Sequence, residues 1–184
     1  MVVCPLALSC RPQQRPRPEH AVVGPKLSLR GFEAVRDTDV LKASLADDTG
    51  GYSSGYRTRN VLFVDATGKA WWLLPDDDHV LEEHVVRKPG ASGYDPESPA
   101  LAVLALARPI ADDVAKVGDL YLFDPSGRRI QRIAEQVNDV HGAAMAPTGI
   151  AILYERGGGY FLEHYDPSSH AKVSAVPVDV PKLN

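Results

Sequence analysis

The sequence predicts a mainly β fold, an antiparallel β-meander of repeated hairpins, with a β-sandwich as the alternative architecture. Three observations carry that expectation. A short apolar run, an Asp-opened turn and a second run recur three times along the chain. The second run of the middle copy, Arg128-Arg129-Ile130-Gln131-Arg132-Ile133, alternates polar with apolar residues, as in a sheet with one wet face. Ala100 to Ala107, ALAVLALA, is continuously apolar and bracketed by Pro99 and Pro109. At that length it reads as a buried central strand, with a short helix as the alternative.

The first copy runs Val61-Leu62-Phe63-Val64, then Asp65-Ala66-Thr67-Gly68, then Trp71-Trp72-Leu73-Leu74. The second is Leu120 to Phe123, Asp124-Pro125-Ser126-Gly127 and Arg128 to Ile133. The third is Tyr160 to Tyr165, Asp166-Pro167-Ser168-Ser169 and Ala171 to Val176. Aspartate opens such turns by accepting backbone N–H bonds, and glycine tolerates their positive φ. Upstream, Lys26 to Arg30 alternates and Gly31 is expected to break it. Val40 to Leu45 reads as a strand or a short helix, and Asp47 to Gly55 as a loop. Glu82 to Ser98, rich in Gly, Pro and charge, reads as an insert, and Gly157-Gly158-Gly159 as a hairpin turn.

The turn aspartates are 59 and then 42 residues apart, and the second interval suits a four-stranded propeller blade of about 40–45 residues. The repeats resemble the blades of periplasmic β-propellers, in which a strand ends in Asp and a Gly turn leads into a basic-apolar strand. That resemblance implies a partial β-propeller-like arrangement over roughly residues 57–180. Three copies fall short of the four to eight blades that close a propeller. A subunit completed by oligomerisation is one consequence.

At 184 residues and 44% hydrophobic content, the chain suits one globular domain, expected over residues 26–184. The formal charge of −4 gives no basis for sequence-independent nucleic-acid binding. No apolar run approaches the roughly 18–20 residues that span a bilayer. Cys4 and Cys10 are the two cysteines, both ahead of the expected domain. Residues 1–10, MVVCPLALSC, resemble the end of a bacterial lipoprotein signal peptide, in which small residues precede a cysteine that becomes lipidated. Ala7 stands where that motif has leucine, with Leu6 one place earlier, and an upstream start would supply the missing charged region. The resemblance, to bacterial lipoproteins with propeller-like repeats, implies lipidation at Cys10. It further implies residues 11–25 as a Pro/Arg-rich tether and a periplasmic or outer-membrane-anchored location. A cytoplasmic protein is the alternative.

Candidate chemistry is sparse. Asp76, Asp78 and His79, with Asp77, Glu82, Glu83 and His84 nearby, are ligand-type residues for a divalent cation, but their spacing fits no established motif. A solvated acidic turn is the plain alternative. Asp112, Asp113 and Asp119 lack further oxygen ligands at suitable spacing. His141, His164 and His170 come from separate turns, and no Gly-x-Ser-x-Gly elbow accompanies them. No cofactor is expected. Trp71 and Trp72, adjacent on a strand, must face opposite sides, so one belongs to the core and the other is a candidate recognition surface, with Tyr52 and Tyr56 as neighbours. The function expected from these features is that of a non-enzymatic envelope domain binding a protein or a small ligand. A metal-dependent hydrolase using the Asp76–His84 cluster is the alternative.

Overall fold

The computed structural model describes residues 26–47, 56–88, 98–110 and 117–180. Eleven strands run through them: β1 (Leu27–Ala34), β2 (Val40–Asp47), β3 (Arg57–Asp65), β4 (Ala70–Trp72), β5 (His79–Arg87), β6 (Ala100–Pro109), β7 (Gly118–Phe123), β8 (Ile130–Ala146), β9 (Gly149–Arg156), β10 (Gly159–Tyr165) and β11 (Lys172–Val178). No helix occurs among the described residues. Strands β1 to β4 form one antiparallel sheet and β5 to β11 a second, each ordered as in the sequence, so both are meanders. Neither closes into a barrel. The first hairpin copy lies in the four-stranded sheet. The second and third lie together in the seven-stranded sheet, so the sheets do not divide at the repeats as four-stranded blades would.

β6 shows why its sequence is apolar without interruption. Val103, Ala105 and Ala107 point toward the four-stranded sheet and join Val40, Val61, Phe63, Leu73, Leu81 and Phe123 in one buried cluster. Ala102, Leu104 and Leu106 point the other way, into a second cluster with Leu120, Leu122, Ile150, Ile152, Tyr154 and Tyr165. A strand covered on both faces cannot alternate with polar residues. The second cluster exists because the larger sheet bends over itself. β8 is 17 residues long. Its first part pairs with β7 and its second with β9, with register shifts between Val137 and Asp139 and between Val140 and Gly142. Gln136, at φ 54°, marks the bend. Such bulges let one strand serve two layers.

Three expectations need correction. Gly31 does not break β1. It sits at φ 64° in a bulge, where the register shifts between Arg30 and Glu33 and pairing with β2 resumes. Glycine takes this left-handed conformation without a Cβ penalty, so the strand bends rather than stops. Glu82 to Ser98 is not wholly an insert, because His79–Arg87 pairs with β6 along its length. Its charges misled because β5 is an edge strand of the large sheet and keeps a wet side. Asp47 ends β2 rather than opening a loop, since a buried ion pair with Arg59 at 2.8 Å neutralises it.

The three repeated turns share one construction. The N–H groups of Asp65, Asp124 and Asp166 donate to Lys69 O, Arg129 O and Ala171 O. Each side-chain Oδ1 accepts backbone N–H groups in return, from Thr67 and Lys69, from Arg129, and from Ser168 and Ser169. They also lie side by side on one rim. Trp71 Nε1 donates to Gly127 O at 2.8 Å, and Arg129 donates to Ser168 O. Gly127 must be glycine here: its φ is 66°, and a Cβ would stand 2.4 Å from the Phe63 ring.

Candidate functional site

Strand alternation separates the two tryptophans as expected. Trp71 turns inward, stacks on Phe63 with centroids 5.8 Å apart, and spends its indole N–H on Gly127. Trp72 turns outward and is 43% exposed. Registers place it in a row with Leu62 and Ala43, beside a row of Leu41, Val64 and Ala70 and a pair of Leu29 and Leu45. Leu41 and Leu29 are 38% and 51% exposed. Among the described residues this outer face is apolar apart from Asn60, opposite Leu45, with Ala43 buried among its neighbours and Trp72, Leu41 and Leu29 exposed. Tyr56 is engaged by the Arg30 guanidinium, 3.7 Å above its ring. Tyr52 and Cys10 lie outside the described residues.

The acidic segment is built into the link between the sheets. Asn60 Nδ2 donates to Leu74 O and Asp76 O, while its Oδ1 accepts from Leu74 N and Val61 N. Arg59 Nε donates to Asp77 O. Asp76 Oδ1 meets His79 Nδ1 at 2.9 Å, and Asp78 contributes its backbone N–H to the same oxygen. Downstream, alternation on β5 splits the cluster. Glu82 pairs with Arg108 at 2.8 Å on one face, and Glu83 faces the small sheet. Among the described residues no three His, Cys, Asp or Glu side chains gather closely enough to hold a metal ion.

The remaining candidates are used locally. Asp112 and Asp113 lie outside the described residues, and Asp119 pairs with Arg132 at 3.1 Å. His141 approaches Glu155 at 3.7 Å and packs on Tyr160, while His164 Nδ1 meets Ser174 Oγ. His170 is buried between the second and third turns. Burial lowers its pKa and Arg129 adds to this, against Asp124 and Asp166. Asp166 is held below the usual carboxylate range, chiefly by the Ser168 hydroxyl and then by the Ser169 N–H and hydroxyl.

Two arrangements were not anticipated from the residues. One is a buried polar knot: Glu163 accepts from Tyr154 OH at 3.0 Å, from Tyr165 OH, and from Lys172 Nζ at 2.8 Å. Burial, then the neighbouring Glu163 carboxylate, pushes the Tyr154 phenol up to about 12. Every member has a partner, so the knot serves to pin β9, β10 and β11 together. The other is a cleft of about 310 Å³ between the sheets, with Val35, Val61, Val103 and Phe123 lining it beside the charged Glu33, Arg36, Lys42, Glu83 and Arg87. Its signal was the alternation Leu81, Glu83, Val85, Arg87, which puts charge on the face that β5 turns to the core. No protein-family model matches this chain, and no curated protein or solved structure is similar to it.

Proposed function

We propose that this chain is a non-catalytic binding domain of the bacterial envelope, recognising a protein partner through the outer face of its four-stranded sheet. One observation carries the reading. Trp72, Leu41 and Leu29 stand exposed on one continuous apolar face, while the opposite face of the same sheet is packed. Contiguous exposed apolar surface marks interaction sites, and tryptophan is the residue most enriched at their energetic centres. The sequence around Cys10, followed by the Pro/Arg-rich residues 11–25, supports a lipid-anchored, tethered location.

The test is a site-specific photocrosslinker at Leu41 in cells expressing the native gene, alone and with Trp72→Ala. The reading expects a discrete crosslinked partner whose yield falls at least tenfold in Trp72→Ala, with the melting temperature unchanged. The same partner captured equally by both proteins would remove the outer face from the interface. A crosslink to a second copy would instead favour a propeller-like assembly completed by oligomerisation. Fatty-acid labelling that is lost in Cys10→Ala tests the anchor separately. Stoichiometric metal after dialysis, lost in Asp76→Ala with His79→Ala, would restore the hydrolase alternative.

A further inference from the structure

We propose that the cleft between the two sheets is a binding site for a small amphipathic amine, its ammonium against Glu83 and its apolar body over Val61, Val103 and Phe123. The cleft lies on the inner face of the small sheet, opposite Trp72, and the proposal is independent of the outer surface. Its volume of about 310 Å³ falls at the small end of the range of roughly 300–1,000 Å³ for ligand pockets.

The charges along the cleft decide the sign of the ligand. Lys42 Nζ is paired with Glu33 at 3.0 Å, and Arg87 donates to Ser98 O. Arg36, the third cation on the lining, also has an interaction within the fold, so all three cations are engaged. Glu83 carries a carboxylate that lines the cleft and has no hydrogen-bond or ion-pair partner within 4.0 Å among the described residues. A carboxylate taken from water without compensation is costly, and a ligand N–H donor relieves that cost directly. An anionic ligand would meet Glu83 and Glu33 instead. A purely apolar one would leave Glu83 desolvated and unbonded. Burial raises the Glu83 pKa, with Lys42 opposing and Glu33 adding to the shift, as expected for an acid that lacks a fixed counter-ion. The mouth is open: Val85, on the cleft lining, is 42% exposed.

Phenethylamine is a suitable probe, with 2-phenylethanol and phenylacetate as its neutral and anionic counterparts. Chemical-shift titration of the labelled domain at pH 7.5 is expected to move the amides of Val61, Glu83, Val103 and Phe123 with phenethylamine. Affinity for the alcohol and the acid should be at least tenfold weaker. Glu83→Gln should cost at least tenfold in amine affinity while leaving the alcohol unchanged, and Val85→Trp should block both by closing the mouth. Trp72→Ala should bind as the unaltered domain does. Amine binding should also weaken as pH falls through the raised pKa of Glu83, because the protonated acid no longer attracts the ammonium. Equal affinities for the three probes, shifts that map away from the cleft, or unchanged amine binding in a folded Glu83→Gln would each overturn the proposal.

Discussion

The two sheets are held by different chemistry. The seven-stranded sheet folds over itself and fills the enclosed space with Leu104, Leu106, Leu120, Leu122, Ile150 and Ile152, each fully buried. Burying a side chain of that kind stabilises by roughly 1.5–3 kcal/mol. The four-stranded sheet packs only one face, and much of its attachment is polar. Asn60 and Arg59 grip the connecting segment, and Trp71 reaches Gly127 across the sheet boundary. The larger sheet carries the bulk of the stability. The smaller one keeps a free face and a cleft available for binding.

The largest test of that contrast is Leu104→Ala, which empties the doubly covered strand. Its cost is about 4 kcal/mol in urea unfolding, since buried Leu→Ala changes lose both transfer energy and packing. Asn60→Ala comes next, at about 3 kcal/mol, because it strands the buried N–H and C=O groups of Leu74. Its signature should be local: amides of β2 and β3 should lose hydrogen-exchange protection while those of β6 and β7 keep theirs. Uniform loss across both sheets would show that the small sheet is no separate unit. Gly127→Ala should cost about 2 kcal/mol, from positive φ and the clash with Phe63, and should quench or shift the Trp71 fluorescence. Leu41→Ala on the outer face should change stability by less than about 0.5 kcal/mol.

Alkaline titration probes the contrast with the smallest perturbation. The folded pKa of Tyr154 is raised from 10.0 to about 12, so the protonated phenol is favoured by the fold. That contribution is complete below pH 10 and is lost as pH rises through about 12. Absorbance at 295 nm should show a tyrosine class ionising late and together with unfolding. Tyr154→Phe should diminish that late component, to which Tyr165, raised by burial and its bond to Glu163, still contributes, whereas Trp72→Ala should leave it in place.

Much of the fold was legible because local rules and tertiary packing agreed. The Asp-opened turns announced β3–β4, β7–β8 and β10–β11, and the length of ALAVLALA between prolines announced a strand buried on both faces. What misled was charge on edge elements. β5 carries Glu82, Glu83 and His84 yet pairs fully with β6, and nothing local says which neighbour will satisfy those groups. The bend in β8 was also hidden, since Gln136 at φ 54° is imposed by the packing of two layers rather than by its own preference. Of the candidate residues, the inward and outward tryptophans followed from period two alone. Glu83 was read only as part of the acidic cluster, because its meaning depends on Lys42 and Glu33, 41 and 50 residues earlier in the chain.

β8 also sets where this protein can change length. Adding one residue to a paired stretch flips every later side chain to the opposite face until a bulge absorbs the change. An insertion between Ala143 and Ala146 would therefore scramble the pairing with β9 up to the Pro147-Thr148 turn. Between Gln136 and Gly142 the ladder already slips twice, and an extra residue there meets a strand that is irregular by construction. The first half of β8 also slips twice against β7, so drift in length should accumulate there, at the joint and at the turns, and be purged from the regular stretch Gly142 to Ala146.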